Sequence, residues 1–281
     1  MIARTRTLHG VAVPAFFYGT AWKEERTAAL TRLALDAGFG AIDTANQRRH
    51  YFEAAVGDAV RGWLAESGRA RAQLFLQTKF THADGQDHRL PYDRDASPAD
   101  QVAQSFASSL EHLHTDHLDA YLLHGPSARV GLPDDDWQIW NAMSALARAG
   151  KVRLIGISNV SLEQLESLHR HAEVKPALVQ NRCYARTGWD REIRAFCRAH
   201  DIGYQGFSLL TANRRELAGP TMARVVAKSG RTLAQVLFRF ALQVGMIPLT
   251  GTSDSGHMRE DLHSFDFALD EADVAAIESL A

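Results

Sequence analysis

Short apolar segments alternate with helical patterns along almost the whole chain, and this order leaves few folds open. Eight segments are nearly continuously apolar, which is typical of parallel strands covered on both faces. They lie at residues 13–20, 41–45, 74–80, 118–124, 153–159, 177–183, 202–209 and 245–251. Eight strand–helix units in 281 residues predict one α/β domain over residues 1–281, a closed (β/α)8 TIM barrel with a short N-terminal β-hairpin before it.

Helical periodicity connects the apolar segments. One predicted helix carries its apolar residues on a single face, at Ala29, Leu30, Leu33, Ala34 and Ala37. Two helix starts have clear capping signals. Ser97 is followed by Pro98 and Asp100, and Ser161 has Gln164 three residues later, as in a capping box.

A doubly wound sheet with a dinucleotide fingerprint is the competing architecture. The segment "GFGAID" at residues 38–43 supplies only a Gly-x-Gly. It precedes a predicted strand instead of following one, and no third glycine stands at the required spacing. The sequence therefore favours the barrel.

The charge balance excludes several classes of partner. There are 31 basic and 33 acidic residues, and no basic run stands out, so we expect neither nucleic acid nor a membrane as a partner. The N-terminus lacks the apolar core of a signal peptide, which indicates a cytoplasmic protein. Cys183 and Cys197 form no CxxC or zinc-type spacing, and we expect no metal.

Polar residues stand repeatedly where the predicted strands end. In a barrel these ends meet at one mouth, where the βα loops build active sites. The residues are Asp43, Lys79, His124, Ser158, Asn159, Gln180, Ser208 and Thr250. Closure of the barrel would thus bring an acid, a lysine and a histidine together, with Tyr51 a short loop away.

Such a cluster has a chemical use. A tyrosine has an ordinary pKa of about 10, and a neighbouring ammonium favours its phenolate and lowers that pKa. A carboxylate beside the lysine would hold the lysine charged and oriented. The tyrosine then serves as a general acid that gives a proton to a carbonyl oxygen.

The ordered motifs "AIDTA", "TKF", "LLHGP", "GISN", "LVQN" and "GFSLL" resemble those of the aldo-keto reductases along essentially the whole chain. The resemblance implies NAD(P)H-dependent reduction of a small-molecule carbonyl substrate without a metal. Its catalytic tetrad would be Asp43, Tyr51, Lys79 and His124, with Tyr51 as the proton donor. In most relatives the tyrosine stands where this chain has Arg48, so the resemblance implies an insertion that moves it to Tyr51.

The resemblance also implies a cofactor site. Ser158, Asn159 and Gln180 would hold the nicotinamide carboxamide, and Phe207 would stack on the ring. Further candidate cofactor residues are Thr20, Ser208, Leu210, Thr250, Thr252, His257 and Asp261. Trp22 and Phe80 are the candidate walls of the substrate pocket.

The expected cofactor is NADP(H), with NAD(H) as the alternative. Relatives that prefer NADPH have a lysine and an arginine where this chain has Leu249 and His257, but Thr250, Thr252 and helix N-terminal amides are also suited to a phosphate. Residues 81–98 form a long polar connection that we interpret as a substrate lid. The chain ends just after its last helical pattern, so we expect no long C-terminal loop over the site.

Two other functions compete with carbonyl reduction. Lys79 could form a Schiff base in a barrel lyase or aldolase, although the neighbouring Asp43 would keep the amine charged. A non-catalytic, nucleotide-binding regulatory subunit on the same fold is the third hypothesis. We expect a monomer or a weak homo-oligomer.

Overall fold

The computed structural model describes residues 2–280, and its strands form a hairpin and a closed barrel. The hairpin consists of β1 (Thr5–Leu8) and β2 (Val11–Pro14), which pair in antiparallel fashion. The barrel strands are all parallel: β3 (Phe17–Gly19), β4 (Ala41–Asp43), β5 (Phe75–Phe80), β6 (Leu118–Leu123), β7 (Val152–Ser158), β8 (Leu178–Arg182), β9 (Gly203–Phe207) and β10 (Ile247–Thr250). The predicted (β/α)8 barrel and N-terminal hairpin are confirmed.

One predicted strand is divided differently in the structure. The segment 13–20 is predicted to be a single strand, but its first two residues belong to β2 and only residues 17–19, near its end, form β3. The reason lies in the hairpin, whose residues Leu8, Val11 and Val13 pack in one apolar cluster with Phe17 and Phe75 of the barrel. The hairpin therefore covers the N-terminal end of the barrel core.

Helices surround the barrel. They are α1 (Thr27–Ala37), α2 (Glu53–Ser67), α3 (Pro98–His112), α4 (Asp134–Arg148), α5 (Leu162–His171), α6 (Arg191–Ala199), α7 (Arg214–Leu217), α8 (Pro220–Ser229), α9 (Leu233–Gln243), α10 (Ser255–Leu262) and α11 (Glu271–Glu278). Both predicted caps are present, because the hydroxyls of Ser97 and Ser161 accept from the main-chain amides of Asp100 and Gln164.

The buried face of α1 differs slightly from the predicted one. Leu33 was expected to face the core but is 39% exposed, whereas Thr31 is fully buried. The packed face runs through Leu30, Thr31, Ala34 and Leu35, so it is rotated away from Leu33. A threonine at a helix position gives no apolar signal, which is why the sequence pattern missed it.

Barrel closure determines where the strand ends lie. β10 pairs with β9 and also with β3, through Ile247 to Gln205 and Leu249 to Phe17. Because all eight barrel strands are parallel, their C-terminal ends surround one opening. Within residues 2–280, no helix is both long and apolar enough to cross a membrane.

Candidate active site

A cavity of about 680 Å³ lies at the C-terminal ends of the barrel strands. Its wall combines six of the eight strand-end polar residues predicted from the sequence with apolar groups of the loops after β3 and β9. The wall includes Trp22, Lys23, Asp43, Tyr51, His124, Ser158, Gln180, Phe207, Ser208, Leu210, Thr250, Thr252, His257, Glu260 and Asp261. This cavity is the candidate active site.

Asp43 and Lys79 form a buried ion pair beside the cavity. The Nζ atom of Lys79 donates to Asp43 Oδ1 at 2.7 Å, to Asp43 Oδ2 at 2.8 Å and to the main-chain oxygen of Thr44 at 2.9 Å. These three bonds use all three protons of the ammonium. Burial lowers the pKa of Lys79, while the adjacent Asp43 carboxylate acts in the opposite direction and favours the ammonium.

Three glutamines form a hydrogen-bonded cluster next to this ion pair. Gln77 and Gln180 each donate to Asp43 Oδ1, at 2.7 and 2.9 Å, and each also donates to Gln205 Oε1 at 2.8 Å. Gln205 donates in return to Gln77 Oε1. The sequence analysis did not single out Gln77 or Gln205. The spacing within β5 could have identified Gln77, because Gln77 and Lys79 are two residues apart and so point to the same face of the strand.

Tyr51 reaches the cavity from the lengthened loop after β4. Its ring centroid lies 5.2 Å from Lys79 Nζ and 5.8 Å from the ring centroid of His124. Arg48 does not line this cavity; its guanidinium lies 3.9 Å from the centroid of the Phe52 ring. The geometry therefore brings Tyr51, and not Arg48, to the predicted tetrad.

The pKa of Tyr51 differs from the sequence expectation. Burial raises this pKa well above its ordinary value, and the charge of Asp43 raises it further. We had expected Lys79 to lower it. The upward shift prevails because Tyr51 is buried beside the Asp43 carboxylate, which pairs with the Lys79 ammonium. Tyr51 is a neutral phenol near neutral pH.

His124 follows β6 directly and lines the cavity. Burial lowers the pKa of His124 to about 3, and the charges of Lys79 and His50 contribute to the shift. Its Nδ1 atom lies 2.7 Å from the hydroxyl oxygen of Thr81. The imidazole is therefore neutral near neutral pH and is able to share its single N–H proton with a ligand.

The groups predicted to hold a nicotinamide carboxamide are partly engaged with each other. The Ser158 hydroxyl donates to the main-chain oxygen of Gln180 at 2.6 Å, and both amide protons of Gln180 are used within the glutamine cluster. Gln180 therefore offers its carbonyl oxygen to a ligand. An oxygen acceptor on the wall of the cavity suits the NH2 of a carboxamide, so these residues fit the predicted group.

Asn159 is placed differently from the prediction. It is exposed, has a positive φ of 52°, and is not part of the cavity wall. Its amide nitrogen donates to the main-chain oxygen of His124 at 2.8 Å and to Ser158 Oγ at 3.2 Å. In this arrangement Asn159 joins the ends of β6 and β7 rather than facing a ligand.

Seven of the eight remaining predicted cofactor residues also line the cavity. Phe207, Ser208, Leu210, Thr250, Thr252, His257 and Asp261 all line it. Thr250 donates to Asp261 Oδ2 at 2.7 Å, and burial raises the pKa of Asp261 to about 7. Lys23, which the sequence analysis did not select, also lines the cavity and donates to the main-chain oxygen of Gly251.

Two predicted contact residues do not reach the cavity. Thr20 is fully buried, and its hydroxyl donates to the main-chain oxygen of Asp43 at 3.0 Å, so it fixes the end of β4 instead of meeting a ligand. Phe80 is also fully buried and stacks on Tyr92 with centroids 5.5 Å apart. Strand alternation explains this: Lys79 points into the barrel, so Phe80 points outward to the helices.

Trp22, one of the two candidate substrate walls, lines the cavity. Its indole is 70% exposed and stacks on His50 of the Tyr51 loop, with centroids 4.0 Å apart. Among residues 2–280, no cluster of three or more His, Cys, Asp or Glu side chains is arranged to hold a metal ion.

Known proteins resemble this chain over nearly its full length. The sequence profile described as "Aldo/keto reductase family" matches residues 15–281. A glyoxal reductase of Bacillus subtilis is 30% identical over 98% of this chain and 92% of its own length. An aldo-keto reductase of Mycobacterium avium is 32% identical over 92% of this chain and 82% of its own length. The crystal structure of an aldo/keto reductase from Brucella melitensis has a TM-score of 0.85 and 29% identity, and the match covers 100% of this chain and 99% of that chain.

Proposed function

Because this chain belongs to the aldo/keto reductase family, we propose that it reduces aldehydes or ketones to alcohols by hydride transfer from NADP(H), with NAD(H) as the alternative cofactor. Tyr51 is the proton donor in this proposal. The observation that carries it is the meeting of Tyr51, His124 and the Asp43–Lys79 pair at one cavity. No metal takes part.

Each residue of the tetrad has a task that follows from its surroundings. The bound nicotinamide supplies the hydride. Tyr51 keeps its phenol proton near neutral pH and gives it to the oxygen of the reacting carbonyl. His124, being neutral, orients the carbonyl oxygen by donating an N–H. The Asp43–Lys79 ion pair forms a fixed polar group beside Tyr51, and in this proposal it moves no proton itself.

Lys23 supports a phosphate-bearing cofactor. It is the single lysine or arginine among the described residues of the cavity wall. Its ammonium contacts the main-chain oxygen of Gly251, between the hydroxyl-bearing residues Thr250 and Thr252. An ammonium on the cavity wall suits a phosphate group, and we propose that Lys23 supplies the charge that Leu249 does not.

The Schiff-base alternative is less favourable. A nucleophilic lysine must present an uncharged amine to its substrate. Lys79 is fully buried, donates all three protons to Asp43 and Thr44, and is not part of the cavity wall. The regulatory-subunit alternative predicts cofactor binding without turnover, and the experiment below distinguishes it.

The proposal includes three further properties. We propose a single domain over residues 1–281, a cytoplasmic location, and a monomer or weak homo-oligomer acting on small carbonyl compounds. The closed barrel supports the proposed monomer or weak homo-oligomer, because it leaves no strand edge in the barrel sheet for a second copy to pair with.

The test of function is the substitution Tyr51→Phe. We expect the wild-type protein to oxidise NADPH when a reactive aldehyde is added, and Tyr51→Phe to lose at least about a hundredfold in kcat. Cofactor affinity, measured by fluorescence titration, should change little because the ring is kept. NADH is assayed in parallel to rank the two cofactors.

Tyr184→Phe is the matched control. Its ring lies under the guanidinium groups of Arg182 and Arg186 and outside the cavity, so activity should stay at the wild-type level. Full activity of Tyr51→Phe would exclude Tyr51 as the proton donor. Tight cofactor binding without reduction of any carbonyl in a broad panel would support the regulatory subunit instead.

A further inference from the structure

Thr81 is held firmly beside the catalytic histidine. It follows β5 and is 5% exposed, and its hydroxyl oxygen lies 2.7 Å from His124 Nδ1. Tyr92 donates to the main-chain oxygen of Thr81 at 2.6 Å. A Cβ atom added at Gly85 would come within 2.7 Å of the Thr81 methyl carbon, so the main chain at Gly85 packs directly on this side chain.

The direction of the Thr81–His124 hydrogen bond follows from proton counting. A hydroxyl carries one proton, and a neutral imidazole carries one N–H. Within residues 2–280, His124 Nδ1 is the only hydrogen-bond partner recorded for the Thr81 hydroxyl. If Nδ1 carried the proton, the Thr81 hydroxyl would accept it and its own buried proton would have no acceptor, which costs free energy. The favourable arrangement has Thr81 donating to Nδ1.

We propose that Thr81 is a positioning residue that fixes His124 in the tautomer protonated at Nε2. This proposal rests on the proposed function, because carbonyl reduction is the reaction in which the Nε2–H of His124 would donate to the substrate. Nε2 is the second ring nitrogen, separated from Nδ1 by Cε1, and His124 lines the cavity. The fixed tautomer therefore presents a hydrogen-bond donor to a carbonyl oxygen, whereas the other tautomer would present an acceptor that repels it.

Residues of the connection after β5 hold Thr81 and the Tyr51 loop in place. Tyr92 stacks on Phe80 and binds the Thr81 carbonyl, and Gln86 donates to the main-chain oxygen of Asn46 at 2.8 Å in the Tyr51 loop. The first part of the 81–98 connection thus supports both the histidine and the tyrosine loop from outside the cavity.

The decisive measurement is the tautomer of His124 by NMR on protein with ¹⁵N-labelled histidine. The His124 signal is assigned as the one that His124→Gln removes. We expect the protonated Nε2 form in the wild type and in Thr81→Ser, which keeps the hydroxyl. In Thr81→Val the population should shift toward the form protonated at Nδ1. A wild-type histidine protonated at Nδ1, or an unchanged tautomer in Thr81→Val, would overturn the proposal.

Enzyme activity gives the second readout. Loss of one hydrogen bond that orients a catalytic group should lower kcat/KM of Thr81→Val by roughly tenfold, with recovery in Thr81→Ser. Thr31→Val is the matched control, because the Thr31 hydroxyl is buried in α1 without a partner and lies outside the cavity. A loss in Thr81→Val that Thr81→Ser does not recover would assign Thr81 a packing role and reject the proposal.

The two proposals fail in different ways. If the protein reduces no carbonyl compound, the proposed function fails, yet the NMR result still decides whether Thr81 sets the tautomer. If the protein is an active reductase and the tautomer is insensitive to Thr81, the positioning role alone is rejected. Folding of each variant is checked by thermal unfolding before either measurement.

Discussion

Asp261 is a buried carboxyl group at the cavity whose pKa the structure raises. Its carboxyl is 2% exposed and accepts from the Thr250 hydroxyl, and burial raises its pKa to about 7. An unfolded aspartate has a pKa near 3.9. Between these values Asp261 holds a proton in the folded state that it lacks in the unfolded state, so the contribution of Asp261 to the free energy of unfolding falls as pH rises from about 4 to about 7.

The substitution Asp261→Asn should remove this pH dependence. Relative to Asp261→Asn, the wild type should lose at most about 1.4 kcal/mol per pH unit over that range, because the two proteins differ by one titrating proton. Asp261→Asn should be the more stable protein above about pH 7. Urea unfolding at several pH values on both sides of neutrality measures the difference. Asp266→Asn, at an exposed aspartate that pairs with Arg4, is the control and should follow the wild type. Parallel curves for Asp261→Asn and the wild type would contradict the assignment.

The contact between α2 and α3 depends on a single glycine. A Cβ atom at Gly57 would lie 1.9 Å from the main-chain oxygen of His112 and 2.7 Å from Leu113 Cα. The obstructing atoms belong to the main chain at the end of α3, so no side-chain movement relieves the clash. The two helices can approach this closely only because residue 57 has no side chain.

Gly57→Ala should therefore destabilise the protein, whereas Gly62→Ala on the same helix should not. We expect Gly57→Ala to cost roughly 2 kcal/mol or more, since α2 must move away from α3. Nothing lies within 4 Å of a Cβ atom at Gly62, and there alanine should add up to about 1 kcal/mol through its helix propensity. Equal unfolding midpoints for the two variants in urea would show that α2 adapts without cost.

At the scale of the whole molecule, the two ends of the barrel have different tasks. Near the start of β6, Asp119 is 2% exposed and binds Arg71 at 2.8 Å, Arg153 at 3.0 Å and the main-chain amide of Leu76 at 2.9 Å. These contacts tie β5, β6 and β7 together at the end opposite the cavity. They should serve stability and not ligand binding.

Asp119→Asn tests this division. Removing the charge leaves two arginines without their shared partner, and we expect a loss of roughly 3 kcal/mol, toward the low end for buried pairs because both arginines retain solvent contact. The affinity for NADPH should stay at the wild-type value. Asp58→Asn, at an exposed carboxylate, is the control and should change stability by less than about 0.5 kcal/mol. A weakened NADPH affinity in Asp119→Asn would contradict the assignment of stability to this end of the barrel and of ligand binding to the opposite end.

The sequence alone determined the architecture and most of the strand-end residues. Apolar runs and helical periodicity are local patterns, so they identified eight barrel strands and the caps at Ser97 and Ser161. Barrel closure then requires the strand ends to meet, which is why the sequence alone groups Asp43, Lys79 and His124. The family resemblance supplied Tyr51 in spite of its displaced position.

Only the tertiary structure decided which polar groups are free to act. Thr20 and Phe80 have residue types that suit a site, but the packing turns both away from the cavity. The engagement of all three Lys79 protons and the contact of Thr81 with His124 depend on atoms from separate strands. Hydrogen-bond partners and burial are set by groups far apart in sequence, and these two properties fix the proton positions that the proposed chemistry requires.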